Sequence, residues 1–193
     1  MKHMRIKILC ESAILLALSV VLSYVKLFQL PFDGSITLLS MLPLCVISIR
    51  HGILWGVGSA FCYSWFQILQ GGVFGWGLTP WMLIGSLLLD YILAFTVLGL
   101  AGVFRKKGPW GMILGVAMVC ALRFFVHFLA GVILWANFEQ FIAFGKEWKN
   151  PVLYSICYNG IYMLPETIFT TLGALFLFKT PQLQKLLLPR NLK

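Results

Sequence analysis

Apolar residues run in long blocks along this chain, separated by short stretches of glycine, proline and charge. A helix needs about 20 apolar residues to cross the hydrocarbon core of a bilayer. Six blocks meet or approach that length: residues 8–30, 36–49, 52–70, 80–104, 110–135 and 152–178. The second is short, and Pro43 within it removes a backbone donor, which predicts a kink. The pattern predicts an all-α, integral membrane six-helix bundle, built as a single domain over residues 1–193. The first block outlasts a signal-peptide core and lacks a small-residue cleavage site, so no cleaved leader is expected.

Composition sharpens the solvent assignment. Of the 193 residues, 60% are hydrophobic and only 11% charged, against roughly 25% charged in a soluble domain. The net charge of +9 does not describe a nucleic-acid surface, because the cations sit at the ends of apolar blocks. Eleven of the 15 Lys and Arg residues fall on one side of the predicted membrane, in clusters such as Lys2–Lys7, Arg105–Lys107 and Lys179–Lys193. Three (Lys26, Lys146 and Lys149) fall on the other, and Arg123 lies inside a block. The positive-inside rule then places both termini in the cytoplasm of a multi-pass cell-membrane protein. Residues 31–35, 71–79 and 136–151 become external loops, the last of them long and aromatic.

Ionisable and polar groups inside a membrane are costly, so each asks for a reason. Asp90 lies ten residues into the fourth block and His127 eight before the outer end of the fifth, depths of roughly 15 and 12 Å. Tyr154, Tyr158 and Asn159 fall in the first two outer turns of the sixth, with Trp135 and Trp148 at the mouth. Three helices thus bring polar and aromatic groups to one depth, as a pocket opening outward would. A carboxylate beside aromatic faces suits a flat cation, through charge compensation and cation–π attraction. A ligand-free hydrogen bond between Asp90 and His127 is the other reading. Trp55, Trp76, Trp81 and Trp110 read as interfacial belt residues. Deeper still lie Arg123 and Glu166, which are expected to pair or share a network because a lone buried charge is expensive.

Small residues one turn apart permit close helix approach. Ala13 and Ala17 do this in the first block, and Gly52, Gly56 and Ala60 in the third, where packing within the chain is expected. The five cysteines stand singly without CxxC spacing, so neither metal nor redox use is expected, and no cofactor. No P-loop, HExxH or GxSxG motif occurs, and the chain is not expected to be an enzyme.

The segments "DGSITLLSMLPL", "DYILAFTVLGLAGVF", "HFLAGVILW" and "YSICYNGIYMLPE" together resemble the thiamin-binding S-components (ThiT, formerly YuaJ) of energy-coupling factor transporters. The resemblance extends from the first block to the sixth. It implies a bacterial six-helix protein that binds thiamin from outside and has no transport activity alone. Its implied partners are a transmembrane coupling protein and two ATPase subunits, with Ala13 and Ala17 facing the coupling protein. It also implies a ligand-binding set of Asp90, Tyr91, His127, Gly131, Trp135, Tyr154 and Asn159. Asp90 stands where well-described members carry glutamate. The implied lid is the loop containing "LPFDGS", which offers Phe32 where the family has a tryptophan; that role is not assigned to Phe32. Tyr158 and Tyr162 either contact ligand or only pack. Two other functions stay open: an S-component for another flat vitamin or precursor, such as hydroxymethylpyrimidine or riboflavin, and a small autonomous transporter.

Overall fold

The computed structural model describes residues 2–135 and 150–188, together with the backbone of two short strands between them. Trp148, Lys149 and the basic residues beyond 188 lie outside the described residues. Helix α1 spans Lys2–Tyr24, α2 Leu42–His51 and α3 Ile53–Gln70. Helix α4 covers residues 80–107 as four contiguous segments: α-helical Pro80–Ser86, a π-helical turn at Leu87–Leu93, α-helical Ala94–Thr96 and 3-10 Val97–Lys107. Helix α5 spans Gly108–Ile133, α6 Pro151–Lys179 and the short α7 Pro181–Leu187. Strands β1 (Lys26–Gln29) and β2 (Ser35–Thr37) form an antiparallel hairpin, and β3 (Ile142–Ala143) pairs with β4 (Lys146–Glu147).

The architecture is a helical membrane bundle, with α1, the run from Pro80 to Ile133 and α6 each long and apolar enough to cross a bilayer. The 54-residue run folds back on itself at Gly108, where φ is 73°. Pro80 and Pro151 occupy the first turns of α4 and α6, where a missing N–H costs no helical bond. Asn150 caps α6 by accepting from the N–H groups of Val152 (3.0 Å) and Leu153 (3.2 Å).

Two boundaries differ from the sequence reading. Helix α1 stops at Tyr24 rather than at Leu30, because residues 26–29 are recruited into the hairpin, with Phe28 opposite Ile36. Helix α2 begins at Leu42 instead of Ile36, so Pro43 sits in its first turn and bends nothing. Ten residues rise only roughly 15 Å, half the hydrocarbon thickness. The element lies within the core instead, with every residue from Leu42 to Ile49 buried.

Helices α2, α3 and α4 meet backbone to backbone. The Ser48 hydroxyl donates to the carbonyl of Gly99 and accepts from the N–H of Gly102 at 2.9 Å. A Cβ on Gly99 would come within 2.3 Å of the Val57 nitrogen. Gly56 and the fully buried Ala60 therefore serve packing within the chain, as their spacing predicts, whereas Gly52 forms the turn before α3. At the basic end, Arg50 grips Glu11 through Nε (2.8 Å) and Nη2 (3.1 Å) and donates to the carbonyls of Leu186 and Leu187. That clasp gathers α1, α2 and α7 at one end, opposite the hairpin.

Candidate functional site

The π-helical turn of α4 sets the centre of the site. Neighbouring residues of a regular α-helix diverge by about 100°, yet Asp90 and Tyr91 both line the same cavity. Such turns carry one extra residue and recur at functional positions. The Asp90 carboxylate lies 3.0 Å from Nδ1 of His127 through Oδ1. Its Oδ2 accepts from Trp135 Nε1 at 3.0 Å and from the Ser86 hydroxyl at 3.1 Å. The carboxylate is partly exposed, while the imidazole is almost fully enclosed.

These groups line a cavity of about 100 Å³, and all seven residues of the expected ligand-binding set contribute to its wall. Tyr154, Tyr158 and Tyr162 project at i, i+4 and i+8 from α6 as a ladder of rings, with centroids 5.7 and 5.8 Å apart. Tyr162 closes the ladder against the His127 ring at 5.9 Å. Its hydroxyl donates to Asn159 Oδ1 at 2.8 Å, and Asn159 Nδ2 reaches the His127 carbonyl at 3.3 Å. Asn159 thus fixes α6 against α5 as well as facing the cavity.

Gly131 is required by that same contact. A Cβ there would lie 2.2 Å from Ser155 Oγ and 3.4 Å from Asn159 Nδ2. Its contribution to the site is the close helix approach that seats Asn159.

The hairpin closes over the aromatic end. Phe32 packs at 5.1 Å from Trp135 and 5.5 Å from Trp76, while Trp76 and Trp135 lie 5.8 Å apart. Trp76 is therefore a cavity wall rather than a belt residue, and Phe32 packs beside it at the same wall. By contrast, Trp81 and Trp110 are largely exposed, as belt residues are.

Phe32 and Asp33 hold φ of 62° and 64°, a left-handed conformation that is unusual for a bulky side chain. Bonds outside the loop hold it there. Asp33 Oδ2 accepts from the Gly72 N–H at 2.7 Å, and the Tyr158 hydroxyl donates to the Pro31 carbonyl. Tyr158 thus braces the loop while lining the cavity.

Arg123 and Glu166 make no direct ion pair, but the guanidinium charge acts on the carboxylate at longer range. Glu166 accepts instead from the N–H (2.7 Å) and hydroxyl (2.6 Å) of Thr37 on β2. Arg123 lies with its guanidinium carbon 4.3 Å from the centre of the Phe95 ring and points Nη1 at the Met41 sulfur. Both residues line the inner end of the cavity. Among the described residues, no group of three or more His, Cys, Asp or Glu side chains is placed to hold a metal ion.

Comparison with known proteins matches this arrangement to one family. Residues 9–186 fit the model of the thiamine transporter protein family Thia_YuaJ. The thiamine transporter ThiT of Bacillus subtilis (strain 168) is 30% identical, with 92% of this chain and 93% of that protein covered. ThiT of Lacticaseibacillus paracasei is 25% identical, over 88% of this chain and 85% of that one. The solved structure of ThiT from Listeria monocytogenes superposes with a TM-score of 0.73 at 30% identity, covering 96% of this chain and 99% of the other. With a family model spanning nearly its whole length, the chain belongs to the thiamine transporter protein family Thia_YuaJ.

Proposed function

We propose that this protein is the thiamin-binding membrane subunit of an energy-coupling factor uptake system, and that it is not itself an enzyme. The observation that carries the reading is the Asp90 carboxylate, held between His127 and Trp135 at the wall of an aromatic cavity. A thiazolium cation needs a fixed counter-charge and ring faces. Asp90 supplies the first, and Trp135, Trp76 and the tyrosine ladder supply the second. Asp90, Tyr91, His127, Trp135, Tyr154 and Asn159 are the groups we assign to ligand contact, with Gly131 seating Asn159. Relatives named as thiamine transporters support the choice of vitamin.

The mechanism follows from the placement of these parts. Ligand enters from the hairpin end, meets Asp90, and is covered by Phe32 as the hairpin settles on Gly72 and Tyr158. Transport across the membrane is assigned to partners: a transmembrane coupling protein and two ATPase subunits. Ala13 and Ala17 lie exposed on α1, in line with the exposed Ile6 and Val21. A helix face of small residues suits close packing against another membrane helix, and we assign it to the coupling protein.

Titration of the purified protein with thiamin, followed by tryptophan fluorescence and calorimetry, tests the reading. Saturable quenching with matching heat is expected, because Trp135 and Trp76 border the site. Tighter binding of riboflavin or hydroxymethylpyrimidine in the same assay would reassign the vitamin. Uptake into liposomes without partners or ATP would overturn the subunit role.

A further inference from the structure

Among the described residues, the basic end of the molecule carries more cations than its carboxylates can match. Arg105, Lys106 and Lys107 close α4 at the turn into α5, which passes through Gly108. Beside that turn α6 ends at Lys179, whose Nζ lies 3.8 Å from the centre of the Trp110 ring. Positive charges from two elements thus meet at one corner. Arg105 is partly turned inward, donating to the Ile49 carbonyl at 3.4 Å, while Lys106, Lys107 and Lys179 are exposed. Among the described residues, none of these four side chains enters an ion pair. Glu11, a carboxylate at this end, is gripped by Arg50, and Asp33, Asp90 and Glu166 all line the cavity. An apolar strip continues from the corner toward the middle of the bilayer. Leu114 follows Trp110 by one turn on α5, and Leu172 and Phe176 precede Lys179 on the same face of α6; all three are exposed.

We infer that Arg105, Lys106, Lys107 and Lys179 form a binding site for an anionic phospholipid of the cytoplasmic leaflet. Its phosphate sits among the cations, and its acyl chains run along Leu114, Leu172 and Phe176. Guanidinium and ammonium groups make charge-assisted hydrogen bonds to phosphate oxygens, and cations clustered at the cytoplasmic ends of membrane helices attract anionic lipid. Trp110 is exposed, as an interfacial anchor is, and the apolar stem of Lys179 can cover its ring while the ammonium stays at headgroup level. A zwitterionic lipid brings its own cation to the corner and gains less there. An acidic protein segment would match the charge but not the apolar strip that continues into the hydrocarbon. A lipid matches both. The site lies at the end opposite the hairpin and does not depend on which vitamin is bound.

The test uses the full-length protein in phosphatidylcholine vesicles that contain one lipid with brominated acyl chains, either phosphatidylglycerol or phosphatidylcholine. Bromine quenches nearby indoles, and the Trp110 signal is the difference between wild type and Trp110→Phe. At equal bromine content, phosphatidylglycerol should occupy the site more than about fivefold in preference to phosphatidylcholine, the scale set by one cation at an anionic surface. Lys179→Gln should lower that preference about fivefold by the same measure. Replacing Arg105, Lys106, Lys107 and Lys179 together by Gln should abolish it. Arg5→Gln, which removes an exposed cation from α1, should leave the preference unchanged. Equal quenching by the two lipids in wild type overturns the inference, as does a preference that survives the fourfold replacement. If Arg5→Gln lowers the preference as much as Lys179→Gln, the lipid answers to net charge and the local site is overturned. Should the fourfold variant not fold, as read by its unfolding midpoint, the comparison of Lys179→Gln with Arg5→Gln decides.

Discussion

Glu166 of α6 holds Thr37 of the hairpin by two hydrogen bonds, one from the backbone N–H at 2.7 Å and one from the hydroxyl at 2.6 Å. The hairpin is therefore anchored to the sixth helix by a carboxylate that is only 2% exposed. Replacing Glu166 by Ala leaves the Thr37 N–H without its acceptor, at a cost of about 1–3 kcal/mol. Thermal unfolding in detergent should show a lowered midpoint. Thiamin should raise that midpoint by less than in wild type, because its lid is no longer fixed. An unchanged midpoint would dismiss the anchor.

Asp90→Asn keeps the shape of the side chain and an acceptor for Trp135 Nε1, but removes the charge. Loss of one partner of a desolvated charge pair costs about 2–5 kcal/mol. Thiamin affinity should fall by a factor on the order of a hundred or more at that scale. The unfolding midpoint without ligand should move little. Calorimetry on the two proteins decides the point, and a drop of less than threefold would remove Asp90 from ligand contact.

Phe32→Ala should act on release. The ring makes edge and tilted contacts with Trp76 and Trp135, each worth about 0.5–1.5 kcal/mol beyond area. Its loss should speed thiamin dissociation by roughly tenfold by that measure. Stopped-flow fluorescence during displacement reads that rate. Phe32→Trp should dissociate at close to the wild-type rate, since it restores an aromatic lid. Equal rates for Phe32→Ala and wild type would show that the hairpin does not gate the site.

Gly131→Ala drives a methyl group to within 2.2 Å of Ser155 Oγ and 2.8 Å of its Cβ. The helices must part or Ser155 must move, and Asn159 moves with it through its bond to Ser155 Oγ. Binding should weaken severely. Adding Ser155→Gly, which removes both clashing atoms, should restore part of the affinity in the same titration. No recovery in the double variant would point to a direct clash with ligand instead.

Much of this molecule is legible from its residues. The third to sixth apolar blocks locate α3 to α6 within a few residues, and the depth estimates bring Asp90, His127 and Trp135 to one site. Other features leave no such signature. Residues 26–30 and 36–37 are apolar enough to read as helix ends, and only pairing across the hairpin distinguishes them. Glu166 finds its partner in a backbone N–H, which every residue but proline carries, so no side-chain pattern announces it. Trp76 looks like an interfacial residue until Phe32 and Trp135 are placed beside it. The left-handed Phe32 likewise follows from bonds made by Gly72 and Tyr158, distant in sequence.

The surplus residue in the turn at Leu87–Leu93 has a consequence for how such a chain can vary. Deleting one residue there would restore regular winding and leave the two halves of α4 close to their present orientation, because the wide turn absorbs the extra residue. What would be lost is local: Asp90 and Tyr91, neighbours in sequence, could no longer share one cavity wall. Such a deletion should accordingly impair binding while the Gly99 seam against α3 stays in place.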